Sequence, residues 1–516
     1  MFAGLPFLEP GKLGELGFST KREARKAYFH RARLLYDLDA ESDSLATLQT
    51  ALLLTSWYES PDDNKGSWHW LGIAISISFS LGLQAKVLET AGNRRANRLR
   101  RRIWWACYMR DRMIALNMSR LMRIRDDEFN IPMLVVDDFD IVDTDGDSPG
   151  MGSIFLDTTT QTALAEMFIF MAELCVPIGN ILSLYFSTLP PEGQESHTAT
   201  KRIMMNRGTM LFPKFEADVS ERVMMCDAYI QQLFSARPAS CIYSTPRAES
   251  FKGHGTSLLV HRSFLHMSFF AVISALHRPQ LKSKSHPQIT QPMFDVEAKK
   301  LSQRRFHEAG KEISRVCHDL WRNNVEYLLP PAAVLIQIPA IMTHMPRILS
   351  RQLNPENQHD PLRAMFYSLK ICETLQAAHP GVDTVMAFLQ TVLNAAKIEI
   401  VKDGDLKIID LLCRKEKDGI ALPKSCGPKD LQIPTKSAPA RSVSGQLSRE
   451  HLTWSADAEA ISGETAALAA EDPPGTDGFH LITARDELFF VDLELADVFA
   501  DGMATEETFD LPLSMT

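Results

Sequence analysis

Apolar residues recur three and four positions apart through most of the chain between residues 21 and 398. This is the period of an α-helix with one buried face, whereas a half-buried strand shows strict alternation. No series of short strands with hairpin turns appears in the sequence. The stretches with helical spacing are residues 21–39, 42–60, 162–175, 255–279, 304–322, 332–349, 364–379 and 382–398. The sequence therefore predicts an all-α fold with one large multi-helical domain.

One stretch, LGIAISISFSLGL at residues 71–83, fits two interpretations. Large and small residues alternate in it, which is the period of a strand. The stretch is long for a strand, however, and its neighbours have helical spacing, so we expect a helix. A helix would align small residues in two stripes, which would let a second helix approach closely. The stripes are Gly72, Ser76 and Ser80, and Ala74, Ser78 and Gly82.

The most apolar stretch, MFIFMAELCVPIGNILSLYF at residues 167–186, has the length of a membrane span. Glu173, Pro177 and Asn180 interrupt it. A buried helix with a proline kink therefore explains it better than a span does, and we expect no membrane contact. The N-terminal residues show no basic leader followed by an apolar core, so we expect no signal peptide.

The cysteines exclude the common zinc-finger spacings. All eight are scattered, most of them within apolar stretches, and no CxxC pair occurs. So few cysteines in so long a chain do not suggest a disulfide framework either. We expect free thiols, buried in a protein that resides in a reducing compartment.

Charge and composition change after residue 414. Residues 415–485 are rich in Lys, Pro, Ser and Gly, and we expect a disordered linker. Residues 486–516 hold nine acidic residues with Phe, Leu and Val, and no Lys or Arg. Because the rest of the chain is neutral, this tail accounts for the net charge of −9. Its composition is typical of an acidic-hydrophobic activation segment, although a solvated terminus or a last docking helix has the same composition. The helical domain would occupy residues 1–414.

No motif in the sequence indicates an enzyme. The nucleophile elbow, the HExxH zinc motif, the Walker loop and a dinucleotide-binding glycine motif are all missing. His261, His266 and His277 lie in one helical stretch, where core or surface histidines are more common than metal ligands. The acidic pairs at 126–127 and 137–138 resemble loop and capping residues. We predict no catalytic residue, no metal ligand and no cofactor site in this chain.

The stretch RLRRRIWWACYMRDR, residues 98–112, combines arginines with aromatic residues. Arginines neutralise phosphates and aromatic rings stack on bases, so one interpretation is a nucleic-acid contact. A nuclear-import signal is another. On a helix, however, Leu99, Ile103 and Cys107 share one face with the tryptophans nearby, which favours a core helix. The arginines at the start of this helix would then extend their charged ends to solvent or pair with acids such as Asp111, Asp126 and Asp127. The net charge of −9 for the whole chain argues against nonspecific nucleic-acid binding.

Several motifs, in order and with similar spacing, resemble the middle homology region of fungal zinc-cluster transcription factors. They are LQTALLLTSWY (48–58), WHWLGIAI (68–75), SLGLQ (80–84), RRRIWWACYMRDR (100–112) and RIRDDEFNIPML (123–134) followed by DDFD. LHRP at 276–279 and the run at 309–344 resemble the branch that includes cutinase transcription factor 1 beta. The resemblance extends from about residue 13 to residue 397. One departure is Ser119, Arg120 and Leu121, where the family often has Gly-Arg-Pro.

The resemblance implies a structural role for the central motif. Within it, the positions that carry over as core motif residues are Arg102, Ile103, Trp104, Trp105, Asp111 and Arg112. In the family a six-cysteine zinc cluster near the N-terminus binds DNA, and no position here matches one of its cysteines. We therefore expect an effector body whose zinc and DNA contacts would belong to an upstream module or to a partner.

The resemblance also implies a function, namely a nuclear transcription regulator, most simply an activator, that controls a metabolic or secondary-metabolite gene set. The acidic tail would contact the transcription machinery, and the body would form homodimers or heterodimers with related regulators. An alternative is a protein-interaction module that heterodimerises with full-length relatives and inhibits or tunes them. A third hypothesis, a helical enzyme or small-molecule sensor, has the least support from the sequence.

Overall fold

A computed structural model describes residues 2–8, 10–59, 65–118, 120–141, 157–187, 212–213, 219–281, 293–349 and 355–395. The predicted linker and acidic tail, with Cys413 and Cys426, lie outside the described residues. The prediction of an all-α fold is confirmed for the described part of the chain. Its helices are α1 (Pro10–Glu15), α2 (Lys21–Asp37), α3 (Ser44–Leu54), α4 (Ser67–Ser80), α5 (Arg94–Met118), α6 (Thr158–Tyr185), α7 (Val219–Ala236), α8 (Gly255–Leu281), α9 (Met293–Arg322), α10 (Ala333–Leu349), α11 (Pro355–Gln376) and α12 (Val382–Ala395).

Short elements connect the helices. Single 3-10 turns lie at Leu5–Phe7, Val136–Asp138, Ala239–Cys241, Ala248–Phe251 and Glu326–Leu328. Two strands of two residues each, β1 (Phe186–Ser187) and β2 (Phe212–Pro213), pair antiparallel, with Phe186 opposite Pro213. The helices pack mainly on their neighbours in the chain. Helix α5 lies between α4 and α6, α6 also contacts α7 and α8, and α9 contacts α8, α10 and α11.

Capping side chains mark where several helices begin. Thr20 accepts a hydrogen bond from the backbone N–H of Glu23 at the start of α2. Asp43 does the same for Leu45 at the start of α3, and Asp157 for Thr160 at the start of α6. A capped start satisfies an N–H group that has no partner within the helix. Asp43 therefore fixes the start of the helix within the stretch 42–60 that the sequence predicted to be helical.

The ambiguous stretch at 71–83 is helical over most of its length, as part of α4. Only one of its two small-residue stripes is buried. Ala74 and Ser78 are fully buried, and Ala74 packs in a cluster with Phe29, Ala51 and Leu54, whereas Ser76 and Ser80 face solvent. The expectation that the Gly72 stripe also admits a helix is wrong, because the guanidinium of Arg123 lies against Gly72 instead.

Helices α6 and α8 are long and apolar enough to cross a membrane by length and composition alone. Most of each helix is buried among the other helices, and α6 contains Pro177 as the sequence indicated. Burial in a helical core accounts for their composition without a membrane. The six cysteines in the described residues are free; five are buried, and Cys226 is half-buried.

A buried arginine joins the first helices of the fold to the last. Arg25, in α2, is 2% exposed and donates to the carbonyl oxygen of Ala378 at 2.9 Å and to that of Ser56. Its Nη1 also lies 2.5 Å from Nδ1 of His379, in the turn before α12. Since a guanidinium can only donate, Nδ1 must be the acceptor, and the ring must be neutral. Burial, together with the charge of Arg25, lowers the pKa of His379 to about 3.

We expect this contact to make stability depend on pH between 7 and 5. In the unfolded chain a histidine takes up a proton near pH 6.5, whereas folded His379 stays neutral down to about pH 3. The stabilisation is therefore complete above pH 6.5 and is lost as the pH falls, by about 2 kcal/mol between pH 7 and pH 5. Urea unfolding of wild type and of His379→Asn at several pH values measures it. Asn can still accept from Arg25 but does not titrate, so its curve should be flatter over this range; equal slopes would contradict the assignment.

Candidate functional site

Most arginines in the first half of α5 have partners within the protein, whereas Arg94 and Arg95 at its start are exposed. Arg98 pairs with Asp137, Arg101 with both Glu89 and Asp138, and Arg102 with Asp140 at 2.9 Å. Arg100 donates to the carbonyl oxygens of Leu81 and Gly82 at the end of α4. The expectation that these arginines pair with Asp111, Asp126 or Asp127 is wrong. Their acidic partners come from Glu89 and from residues 137–140, a segment that folds back along α5.

Asp138 is the most enclosed of these partners. It is 1% exposed, accepts from Arg101 at 2.5 Å and also accepts from the backbone N–H of Val135 at 2.9 Å. A buried carboxylate with both an arginine and a backbone donor satisfies its hydrogen-bonding capacity. The arginines of α5 therefore hold the 133–140 segment in place. A nucleic-acid phosphate would have to displace these carboxylates to reach them.

The tryptophans of the motif are core residues by position. Trp104 is completely buried between Phe79 and Phe129, with ring centroids 5.4 and 5.5 Å away. Trp105 is 3% exposed and donates from Nε1 to the carbonyl oxygen of Pro132 at 2.9 Å. Ile103 is 6% exposed, whereas Arg102 is half-buried at the edge of the helix. Neither indole face is open, so neither can stack on a base.

Asp111 and Arg112 form a buried ion pair at the far end of the motif. Each side chain is 1% exposed, and Nη1 of Arg112 lies 3.0 Å from Oδ2 of Asp111. Asp111 also accepts from the backbone N–H groups of Arg123 and Ile124. Burial raises the pKa of Asp111, while these N–H groups and the charge of Arg112 oppose the increase. The pair closes the loop that follows α5 onto the helix.

Three further residues complete this network. Arg112 donates to Asp126 at 2.7 Å, and its guanidinium lies 4.3 Å from the ring centroid of Tyr108. The hydroxyl of Tyr108 donates to the same carboxylate at 2.9 Å. Arg123 stacks on Trp68, with 3.5 Å between its Cζ and the ring centroid. From the sequence, Asp126 was expected to be a loop or capping residue or an arginine partner, whereas Tyr108, Arg123 and Trp68 had no predicted role, because their contacts depend on how the loop returns.

The histidines of α8 have separate partners. His261 is exposed, and His266 contacts Glu312 in α9. His277 lies between Asp227 and Ser302, with Nε2 3.1 Å from Oδ1 of Asp227 and Nδ1 3.0 Å from Oγ of Ser302. In the described residues no group of three metal-ligand side chains occurs.

The arrangement at His277 has the residue types of a hydrolase triad, but it joins helices. Ser302 and His277 are fully buried, and Asp227 is 5% exposed, so this conformation leaves no path for a substrate to Oγ. Asp227 also pairs with Arg305 at 3.3 Å. Despite burial, His277 and Arg305 keep the pKa of Asp227 lowered. The cluster therefore connects α7, α8 and α9 through a paired carboxylate.

Comparison with known proteins gives one family match and several relatives. The family model of the fungal specific transcription factor domain matches residues 3–208. The chain is 34% identical over 403 residues to cutinase transcription factor 1 beta of Fusarium vanettenii, which covers 78% of the chain and 45% of that protein. It is 29% identical over 407 residues to a transcription factor of Fusarium pseudograminearum (strain CS3096), covering 77% and 43%.

A third relative is transcription factor cpaR of Aspergillus oryzae. It is 29% identical over 358 residues, which are 68% of the chain and 56% of that protein. The chain thus spans about half the length of these relatives. No solved structure gives a significant match.

Proposed function

We propose that this chain, whose residues 3–208 match the fungal specific transcription factor domain, acts as a nuclear transcription regulator of a metabolic or secondary-metabolite gene set. The match to that domain over residues 3–208, together with relatives that are transcription factors, is the observation that carries the proposal. The name of one relative, cutinase transcription factor 1 beta, supports a metabolic gene set. Within this proposal the chain is not an enzyme and needs no cofactor for its helical body.

The helical body would serve regulation and assembly, not DNA contact. Arg98, Arg101 and Arg102 of the motif are paired with acids within the protein, and the tryptophans are buried. We therefore assign DNA recognition to a zinc cluster upstream of the body or to a partner protein. Residues 486–516, with nine acids and no basic residue, would contact the transcription machinery.

A second candidate function, heterodimerisation that inhibits or tunes full-length relatives, is favoured by exposed leucines on α2. Leu34 and Leu35 are each 58% exposed, and Leu38, just after the helix, is 68% exposed. Their spacing places them on one side of the last turn of α2. Contiguous exposed apolar residues of this kind often mark an interaction surface.

We expect the full chain, fused to a foreign DNA-binding domain, to activate a reporter. Deleting residues 486–516 should lower the output to nearly that of the foreign domain alone. A second variant, in which the nine acids are changed to their amides, tests charge at constant length. The control deletes residues 440–470, a segment of equal length from the linker, and should keep activation.

Unchanged activation without residues 486–516 would remove the tail from the proposal. The alternative function predicts a different pattern. The fused chain would then be inactive, and overproducing the free chain would lower expression from promoters that a full-length relative controls.

A further inference from the structure

A cavity of about 760 Å³ lies between α6, α7 and the segment 133–136. Ile169, Phe170 and Val176 of α6 and Leu233 of α7 give it mostly apolar walls. Its volume and composition are those of a site for a small organic molecule. Val135, at the rim, is 53% exposed, so the cavity opens to solvent on that side.

Two carboxylates face this cavity from α6. Glu166 and Glu173 are the only charged residues in the 28 residues of that helix, and both line the cavity. Seven residues apart on a helix, they lie two turns from each other on one face. Two carboxylate charges on a half-buried cavity wall cost free energy unless cations or hydrogen-bond donors compensate them.

The two carboxylates differ in their partners. Glu166 accepts a hydrogen bond from the hydroxyl of Ser240 at 2.5 Å. Glu173 is half-buried, and among the described residues no hydrogen bond or ion pair to it is present. Burial accordingly raises the pKa of Glu173. An unpaired carboxylate in an apolar wall attracts a cation more strongly than one in open water does.

Arg237 also lines the cavity and is partly engaged elsewhere, although its Nε has no hydrogen-bond partner among the described residues. Its guanidinium lies 3.6 Å from the ring centroid of Phe234, and its Nη1 donates to the carbonyl oxygen of that residue. No ion pair joins it to Glu166 or Glu173 in the part of the chain that the structure describes. The cavity therefore keeps an excess of negative charge at the α6 wall.

We propose that this cavity binds a small amphipathic amine, with the ammonium group paired to Glu173 and the apolar body against Ile169, Val176 and Leu233. The ammonium group provides the positive partner that the Glu173 carboxylate lacks among the described residues. The apolar body covers the apolar walls of the cavity and removes their surface from water. A carboxylate ligand with the same body would be repelled by both glutamates. Binding by the helical body does not depend on the proposed regulatory role, so the two can fail separately.

The test uses three probes with one apolar body: 4-phenylbutylamine, 4-phenylbutanol and 4-phenylbutyrate. Isothermal titration calorimetry with the full chain at pH 7.5 should give a dissociation constant for the amine about tenfold or more below those of the alcohol and the acid. In Glu173→Gln the amine should bind only as well as the alcohol, while binding of the alcohol stays the same. Glu221→Gln, an exposed glutamate on α7 outside the cavity lining, is the matched control and should bind like wild type.

A second variant places the cation on the protein. In Ile169→Lys the new ammonium, one turn from Glu173, should pair with it and abolish amine binding without a loss of the thermal transition. Equal affinity for the three probes would overturn the proposal, and so would an amine affinity that Glu173→Gln does not change. Absence of binding by any probe to the folded full chain would overturn it as well.

Discussion

Replacing Asp111 with alanine is expected to lower the free energy of unfolding by about 3–5 kcal/mol, because it removes one of the two carboxylates that pair with buried Arg112 and leaves two backbone N–H groups without an acceptor. The carboxylate of Asp111 accepts from Arg112 and from two backbone N–H groups, and its side chain is 1% exposed. Water cannot replace those acceptors without opening the contact between α5 and the loop after it. The loss therefore includes one of the two ion pairs of Arg112, which keeps its pair with Asp126, and two unsatisfied N–H groups.

Urea unfolding followed by tryptophan fluorescence measures this loss, since Trp104 and Trp105 lie in the same helix. The control is Asp127→Ala, which removes the partner of Arg125 from an exposed pair whose side chains are 66% and 70% exposed. A pair of this kind contributes about 1 kcal/mol or less. If both variants shift the urea midpoint equally, the Asp111 pair does not hold the loop. Asp111→Asn should lie between them, because the amide keeps one acceptor but no charge.

Helical periodicity predicted most helices of this fold because that signal is local, but it did not identify α7 or the short helix α1. Each of the stretches that sequence analysis identified contains helix in the described residues, and the ambiguous stretch at 71–83 begins within α4. Flanking context decided that case correctly. The burial of Trp104 and Trp105 also follows from local pattern, since a helix that places Ile103 and Cys107 on one face brings both indoles toward it.

Pairing across the fold could not be predicted in the same way. The sequence placed arginines and acids near one another, but Arg101 pairs with Asp138 and Arg112 with Asp126 because of the path of the loop after α5. That path depends on hydrogen bonds from backbone groups, such as the N–H of Ile124. The positions of these groups cannot be inferred from the amino-acid composition. The acids expected to pair with the arginines at the start of α5 were therefore wrong, since the true partners are brought there by this loop.

The cavity at α6 shows a second limit of sequence reasoning. In the sequence, Glu173 was interpreted only as an interruption that makes a membrane span less favourable. The surroundings of its carboxylate were not predicted. Its spacing from Glu166 already placed both on one side of a helix. The sequence did not show which element forms the opposite wall of the cavity, because α7 begins 46 residues after Glu173. A charge pattern on one helix becomes a candidate site only when a second element encloses it.

Replacing Gly310 with alanine is expected to destabilise the protein by about 1–3 kcal/mol, although alanine is the better helix former. Gly310 lies in α9 where α10 approaches. A Cβ atom there would be 2.5 Å from Cβ and Cγ2 of Thr343 and 2.6 Å from its Oγ1. Thr343 is 2% exposed, and its hydroxyl donates to the carbonyl oxygen of Pro339, so it has little room to move. Gly310→Val adds two further carbons and should cost about 3 kcal/mol or more.

Gly14→Ala is the matched control, because a Cβ atom at Gly14 in α1 meets nothing within 4 Å. There the helix propensity acts alone, and the same substitution should leave stability unchanged or raise it by up to about 1 kcal/mol. The opposite signs of the two expected stability changes distinguish the packing cost at Gly310 from the helix propensity of alanine. A double-mutant cycle with Thr343→Gly completes the argument, since removing the facing side chain should recover part of the loss in Gly310→Ala. Additive effects would instead mean that α9 and α10 adjust their spacing, and that close packing at Gly310 does not fix the distance between them.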